Sequence, residues 1–277
     1  MSVITKENLI AAIQTSSGDD IQVNLNSCAG LLSRAVDDGA RVCVLPECFG
    51  FMQRSRSQLY ENAEEFGKGP IQDFLAQAAS DLGAWLVAGS LPLQSPSADK
   101  VFNTLLVYNP NGEVVARYDK IFLFDVELSA SERYFESDYT APGNSVLTVD
   151  SPVGRIGLSI CYDLRFPELY RALADQGAEI LVVPSAFAVT TGADHWLPLL
   201  TARAIENTCY VVAPAQFGTH NGKRKTWGHT LIIDPWGRIV SELVDGWGVI
   251  TGRIDRDRLS EIRASLPSLN HRRPDLF

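Results

Sequence analysis

The chain has 277 residues, 45% of them hydrophobic and 21% charged, enough to bury a large core, and nothing in it suggests disorder. Its formal net charge of -9 argues against a nucleic-acid or anionic-membrane surface, because phosphate attraction needs a basic face; a small anionic substrate held by local arginines stays compatible. No run approaches the ~20 apolar residues of a membrane span, and the opening MSVITKENLIAAIQTSS lacks the basic-then-apolar order of a signal peptide, so a cytoplasmic protein is expected.

Strand-sized, β-branched apolar runs recur along the chain: LIAAIQ, RVCVLP, AWLVAGS, TLLVYNP, RIGLSIC, EILVVPS, CYVVAPA, GHTLIID and GVITGRI, each closed by turn residues. Helical spacing fills several intervals, over 24–39 (Leu25, Cys28, Leu31, Leu32, Ala35), 70–82, 168–176 and 194–206. This alternation predicts a layered α/β domain. Two segments, LLVYNPNGEVVARY and LIIDPWGRIVSEL, read as hairpins around an Asn/Asp-Pro-x-Gly turn, so the sheets should be mixed. Their likeness hints at pseudo-symmetry between the halves. No linker or low-complexity tract divides the chain, which is expected to form a single domain over 1–277, its tail 265–277 running over the surface or onto a partner.

Three apolar runs stop abruptly at a polar residue: VCVLPECFGF at Glu47, RYDKIFLFD at Lys120 and LSICYDLRFPE at Cys161. In open α/β sheets ligands gather at the carboxyl ends of strands, so residues distant in sequence can converge there. Taken singly, a cysteine on an apolar strand is usually a small buried hydrophobe, and a glutamate or lysine after a strand is usually solvated. Together they have a mechanism. A protonated thiol needs a base or a nearby cation to become a nucleophile, roles open to Glu47 and Lys120. When it attacks an amide or nitrile carbon, the developing charge can be held by the lysine and the backbone N–H of Tyr162.

The other cysteines suit this chemistry less. Cys28, Cys43 and Cys209 lie where burial is expected, and Cys48, beside Glu47, should face the opposite way on an extended segment. Five scattered cysteines fit reduced thiols, and with no CxxC or HxxxH pair neither a metal nor another cofactor is expected. A papain-like Cys-His pair is the alternative, with His195, His220, His229 and His271 available, but no orienting partner is identifiable.

This combination resembles the nitrilase superfamily of carbon–nitrogen hydrolases. LPECF is similar to its glutamate motif, YDKIFLFD to its lysine motif and GLSICYDLRFPE to its cysteine motif, in the same order. The likeness spans essentially the whole chain, and PSAFAVTTGADHW, TARAIENTCYVV, QFGTHNGKRKTWGH, DPWGRIV and HRRPDLF are similar to the Nit branch. The resemblance implies a four-layer α-β-β-α sandwich with two mixed sheets. It also implies a homodimer or higher homo-oligomer, joined through helices beside the cysteine strand, with the tail at the subunit interface.

The same resemblance implies a second glutamate after the lysine and shortly before a Pro-Gly pair, which FESDYTAPG places at Glu136; its role would be to orient the lysine. The implied activity is hydrolysis of a small anionic amide through a cysteine thioester. Deaminated glutathione, split into 2-oxoglutarate and cysteinylglycine, is the expected substrate, with 2-oxoglutaramate or another small amide or nitrile as the alternative. The segment FDVELSASERYFESD differs among branches and bears on substrate rather than on chemistry. A catalytically silent scaffold is disfavoured because Glu47, Lys120, Glu136 and Cys161 are all present.

For the substrate's carboxylate, Arg165 is the first candidate, its guanidinium fork matching that geometry, and an ion pair with Glu168 or Asp163 is its structural alternative. His195 and Arg203 are further candidates, although Arg203 could pair with Glu206 at i,i+3 on a helix. The loop THNGKRK offers more cations and could act as a lid.

Overall fold

All nine apolar runs carry strands in a computed structural model that describes residues 8–130, 132–273 and 275–276. Of the expected interface tail 265–277, Pro274 and Phe277 lie outside the described residues. The first half holds β1 (Leu9–Gln14), α1 (Ile21–Asp37), β2 (Val42–Leu45), α2 (Arg56–Glu61), α3 (Pro70–Leu82), β3 (Trp85–Ala88), β4 (Leu91–Gln94), β5 (Val101–Tyr108) and β6 (Val114–Asp119). A short hairpin, β7 (Asp125–Glu127) and β8 (Arg133–Phe135), leads into the second half. There follow β9 (Thr148–Ser151), β10 (Gly154–Gly157), α4 (Pro167–Asp175), β11 (Ile180–Val182), α5 (Val189–Asn207), β12 (Tyr210–Ala213), β13 (Phe217–His220), β14 (Arg224–Trp227), β15 (Thr230–Ile233), β16 (Ile239–Leu243), β17 (Gly248–Arg253) and α6 (Arg256–Ser265).

The two large sheets share one plan. In the first, β17 lies antiparallel to β1, the strands β1, β2 and β3 are parallel, and β5 runs back against β3 and pairs with β6. In the second, β9 lies antiparallel to β10, the strands β10, β11 and β12 are parallel, and β15 runs back against β12 and pairs with β16. Both expected hairpins form, each with a register shift next to its turn, between Val107 and Tyr108 and between Ile232 and Ile233. The pseudo-symmetry therefore extends beyond turn chemistry to strand order. An additional strand, β4, pairs with β5 in the first sheet only.

Period-two alternation builds the layers. Ile10, Ala12, Val42 and Val44 belong to the core shared with Ile156, Ile180 and Val211 of the second sheet. Their neighbours Ala11, Ile13, Cys43 and Leu45 instead pack with Leu25, Cys28 and Leu32 of α1 and Ile71 and Leu75 of α3. On the far side, α4 and α5 contact β10, β12 and β15 and contribute Leu173, Trp196 and Leu200. The result is the four-layer α-β-β-α sandwich. A one-residue slip of β1 or β2 would exchange the two sets, and each fully buried aliphatic side chain contributes about 1.5–3 kcal/mol, so register is strongly fixed.

Helix ends follow local chemistry. Asp20 caps α1 by accepting the Val23 N–H, while α3 begins on Pro70 and stops at Gly83 in the left-handed conformation at φ 59°. Helix α5 starts at Val189, earlier than the expected 194, because Thr190, Thr191 and Gly192 are weak helix formers that hide its first turn. Among the described residues no helix is long and apolar enough to cross a membrane.

Candidate active site

Carboxyl ends of strands from both sheets open onto one cavity lined by Glu47, Lys120, Glu136, Cys161, Tyr162 and Arg224, among others. Each is delivered by a rigid segment. Glu47 lies just beyond β2, where Gly89, at φ 31°, packs so close that an added Cβ would sit 1.9 Å from the Pro46 carbonyl oxygen. Lys120 follows β6; its N–H donates to the Asn103 carbonyl at 2.9 Å, and its own carbonyl accepts the Gly143 N–H at 2.8 Å. A side chain at Gly143 would meet the Asp119 carbonyl oxygen at 2.0 Å, which is why the Pro-Gly pair can grip the lysine segment. Glu136 begins a 3-10 turn, and one of its oxygens accepts the Phe124 N–H at 2.7 Å.

Cys161 does not end a strand as the sequence suggested. Strand β10 stops at Gly157, and Cys161 opens a 3-10 turn over Cys161–Arg165 with φ 48°. A left-handed conformation at a non-glycine residue costs roughly 1–2 kcal/mol. It is held by the Cys161 N–H, which donates to the Pro184 carbonyl at 3.0 Å, and by Asp163. The buried Asp163 carboxylate accepts the Tyr118 hydroxyl at 2.6 Å, the Ile160 N–H at 2.8 Å and the Phe122 N–H at 2.9 Å. It thus ties the cysteine turn to both flanks of Lys120. Burial outweighs those three donors and pushes its carboxyl up to about 6. The N–H of Tyr162, next in the turn, has no protein acceptor among the described residues.

The charges form one connected group. Lys120 Nζ donates to Glu136 at 2.8 and 3.1 Å and to Glu47 at 3.2 Å, with all three side chains buried. Asn103 Nδ2 donates to the same Glu47 oxygen at 3.0 Å and to Glu136 at 3.3 Å, while the Ala186 N–H donates to the other Glu47 oxygen at 2.8 Å. Desolvation works against the Glu47 charge, but Lys120, Arg224, the Cys161 thiol and the Ala186 N–H prevail and hold it below the usual carboxylate range. Desolvation likewise opposes the charge on Lys120, and the two glutamates raise it well above an ordinary lysine. Burial, followed by the charge of Glu47, pushes the Cys161 thiol well above its ordinary value. The resting pair is therefore a thiol beside a carboxylate that can take its proton.

Glu47, Lys120, Glu136, Cys161 and Tyr162 are thus together, whereas the three substrate-contact candidates lie outside the lining. Arg203 is corrected to a structural role: it is buried, donates twice to the Leu164 carbonyl and pairs with Glu206 at 2.8 Å. Arg165 makes neither ion pair considered for it; it meets the exposed His195 at 3.3 Å and lies over the rings of Tyr162 and Phe187, behind the cavity wall. None of the four histidines lines the cavity. His220 is bound to the Ser17 carbonyl at 2.8 Å and Thr226 at 2.6 Å and is pushed down to about 4 by burial, which removes the Cys-His alternative.

Cys48 is a further correction. At φ 57° it is left-handed rather than extended, so it lines the same cavity as Glu47, its thiol pushed up to about 12 by burial. The buried thiols of Cys28 and Cys43 are raised to about 12 and that of Cys209 to about 11, as burial dictates. The segment THNGKRK is a hairpin, β13 and β14, whose turn places Asn221 and Gly222 at φ 51° and 73°. Asn-Gly is the strongest short hairpin signal in a sequence, and it was there to be read. Asn103 and Arg224 carried no such signal, because each reaches the cavity only through tertiary pairing. Among the described residues no cluster of His, Cys, Asp or Glu is arranged to hold a metal ion.

Residues 9–264 match the family model for carbon-nitrogen hydrolases. The chain is 43% identical over 273 residues to the deaminated glutathione amidase of Homo sapiens, covering 97% of this chain and 83% of that one. The crystal structure of the C. elegans NitFhit protein superposes with a TM-score of 0.92 at 38% identity, over 98% of this chain and 66% of that one, so the chain spans just under two thirds of that protein. An amidase from Nesterenkonia sp. AN1, whose structure shows the result of Michael addition of acrylamide at the active-site cysteine, superposes with a TM-score of 0.78 at 29% identity, over 94% of this chain and 98% of that one.

Proposed function

The chain belongs to the carbon–nitrogen hydrolase family and is a cysteine-dependent amidase, and from that premise we propose that Cys161 is the nucleophile, Glu47 its base, Lys120 with the Tyr162 N–H the oxyanion donors, and Glu136 the group that orients the lysine. As the sulfur bonds to the amide carbon, Glu47 accepts the thiol proton and the carbonyl electrons move onto oxygen, toward Lys120 and the Tyr162 N–H. The protonated Glu47 then gives its proton to the departing nitrogen, the C–N bond breaks, and a thioester remains on Cys161. Water next adds to the thioester carbon as Glu47 takes its proton. Collapse returns that proton to sulfur and releases the carboxylic acid.

The observation that carries this reading is that Cys161 lines the same cavity as Glu47, whose carboxylate is fixed there by Lys120 at 3.2 Å and by the Ala186 N–H at 2.8 Å. Base, nucleophile and cation are pre-organised, so little reorganisation is left for the reacting state.

The substrate is deaminated glutathione, released as 2-oxoglutarate and cysteinylglycine; the near full-length likeness to the human enzyme of that name supports this. The protein acts in the cytoplasm, a setting that suits its five free cysteines. It works as a homodimer or higher homo-oligomer with the tail 265–277 at the interface. The exposed Leu197 and Ile205 of α5 offer apolar area for that contact.

The test compares kcat/KM for deaminated glutathione, 2-oxoglutaramate and a simple nitrile, with mass spectrometry during turnover to detect an acyl adduct on Cys161. Deaminated glutathione should rank first. A preference for 2-oxoglutaramate would replace the substrate and leave the mechanism, while turnover without an adduct would remove the mechanism.

A further inference from the structure

The reaction sequence leaves one charged group in the cavity unused. Arg224 is the first residue of β14, and its side chain forms part of the cavity wall. Its contacts are neutral: Nη2 donates to the Ala186 carbonyl at 3.1 Å, and Nη1 approaches Met52 Sδ at 3.6 Å. A guanidinium carries five N–H donors. Most of them therefore have no protein acceptor among the described residues, and no described carboxylate forms an ion pair with Arg224.

The other cations near the site are committed. Lys120 engages both Glu47 and Glu136, and Arg203 is paired with Glu206. Arg224 is half-buried, which makes an unanswered charge costly. Burial opposes that charge, yet Cys48 and Glu47 help to keep it above the ordinary arginine value. Among the described residues the buried side-chain polar atoms without a partner are Asn207 Oδ1 and His229 Nδ1, so Arg224 Nε, which has no protein acceptor, is not sealed in protein.

The support beneath Arg224 is rigid. Its hairpin is tied across by the His220–Thr226 hydrogen bond at 2.6 Å and anchored to the body by His220 on the Ser17 carbonyl and by Asn221 Nδ2 on the Met52 carbonyl at 2.7 Å. Ala186 links the guanidinium to the chemistry, since its carbonyl accepts from Arg224 while its N–H donates to Glu47. A planar fork held this way suits a carboxylate.

We propose that Arg224 is the residue that binds a carboxylate of the amide substrate and so selects anionic amides over neutral ones. This rests on the amidase reading of the Cys161 cavity. Two carboxylates could occupy the fork: that of the 2-oxo acid on the acyl side, or that of the glycine on the leaving side. A neutral amide leaves the fork empty.

The experiment measures kcat/KM for wild type, R224M and R224K on deaminated glutathione, on 2-oxoglutaramate and on a neutral aliphatic amide. R224M should lower the ratio of anionic to neutral kcat/KM by on the order of 100-fold, the loss expected when a buried charge-assisted partner is removed. R224K should recover only part of it, since an ammonium keeps the charge without the fork. Parallel loss on deaminated glutathione and 2-oxoglutaramate assigns the acyl-side carboxylate; loss on deaminated glutathione alone assigns the glycine.

An unchanged ratio overturns the proposal, whether all activities fall together or none falls, and in the former case Arg224 serves Glu47 instead. Acyl adduct on Cys161 with the neutral amide shows that the variant is folded. If wild type ignores deaminated glutathione but hydrolyses 2-oxoglutaramate with the Arg224 dependence intact, the substrate reading fails and this inference stands.

Discussion

The two sheets repeat one strand plan, but their carboxyl ends carry opposite kinds of burden. The first sheet delivers Glu47 and Lys120, charges buried beyond β2 and β6 that survive only because each answers the other and Glu136. The second delivers Cys161, a neutral thiol beyond β10, held in a strained turn by the neighbouring Asp163. A shared topology thus specifies where ends converge, not what they bear. Removing a charge from the first end should cost stability and activity together, whereas removing the thiol from the second should cost activity alone.

Replacing the proposed nucleophile tests that separation at its extreme. Cys161→Ala should abolish hydrolysis and the acyl adduct, while urea denaturation shifts by no more than about 1 kcal/mol, as for a small change outside the special cases of charge or large cavity. A large stability loss would break the comparison. Lys120→Met should also be inactive, but it leaves two carboxylates buried without their cation and should cost about 3–5 kcal/mol in the same denaturation measurement. Equal stability of the two variants would mean that the charge network is not what holds the first end.

Asp163 joins the two regions, and Asp163→Asn should give an intermediate effect. Its three donors cannot all be met by one amide oxygen, so a loss of about 1–3 kcal/mol is expected, with kcat reduced more than KM is changed, as the cysteine turn loosens from the lysine segment. Retained kcat would show that the turn is held by the Pro184 contact alone. The smallest effect lies in the pH profile. Glu47 must be ionised to act as base, and its carboxyl is held below the usual range. The acid limb of kcat/KM should therefore fall below the ordinary glutamate value, about 4.3. The linked stability has the same sign: the depressed carboxyl contributes above its unfolded value, and that contribution is lost as pH falls through the folded one. A limb near neutrality would remove Glu47 from the role.

What could be read along the chain was whatever local periodicity encodes. Residues 10–13 and Val42–Leu45 are unbroken apolar runs, and such a run marks a strand of a sheet covered on both faces, Ile10, Ala12, Val42 and Val44 serving one face and Ala11, Ile13, Cys43 and Leu45 the other. The hairpin turns were legible for the same reason: Gly112 and Gly237 take positive φ values, 77° and 85°, that the Asn/Asp-Pro-x-Gly spelling announces. For Arg203 the sequence leaves substrate contact and pairing with Glu206 both open, because a helical arginine gives no local sign of which it faces, and the structure shows the pairing. Cys48 was misread because the segment after β2 leaves the extended conformation at φ 57°.

By itself, then, the sequence determined the strand runs, the two hairpins and the candidacy of Glu47, Lys120 and Cys161, since apolar runs and their abrupt polar endings are local and recur in order. Only the tertiary structure decided which other groups share the cavity. Asn103 reaches Glu47 across 56 residues and Lys120 does so across 73, while Arg224 arrives on a hairpin whose position is fixed by Ser17 and Met52. Those distances close because burying both sheets against one another leaves a single register in which the strand ends meet, and no local pattern in the chain carries that information.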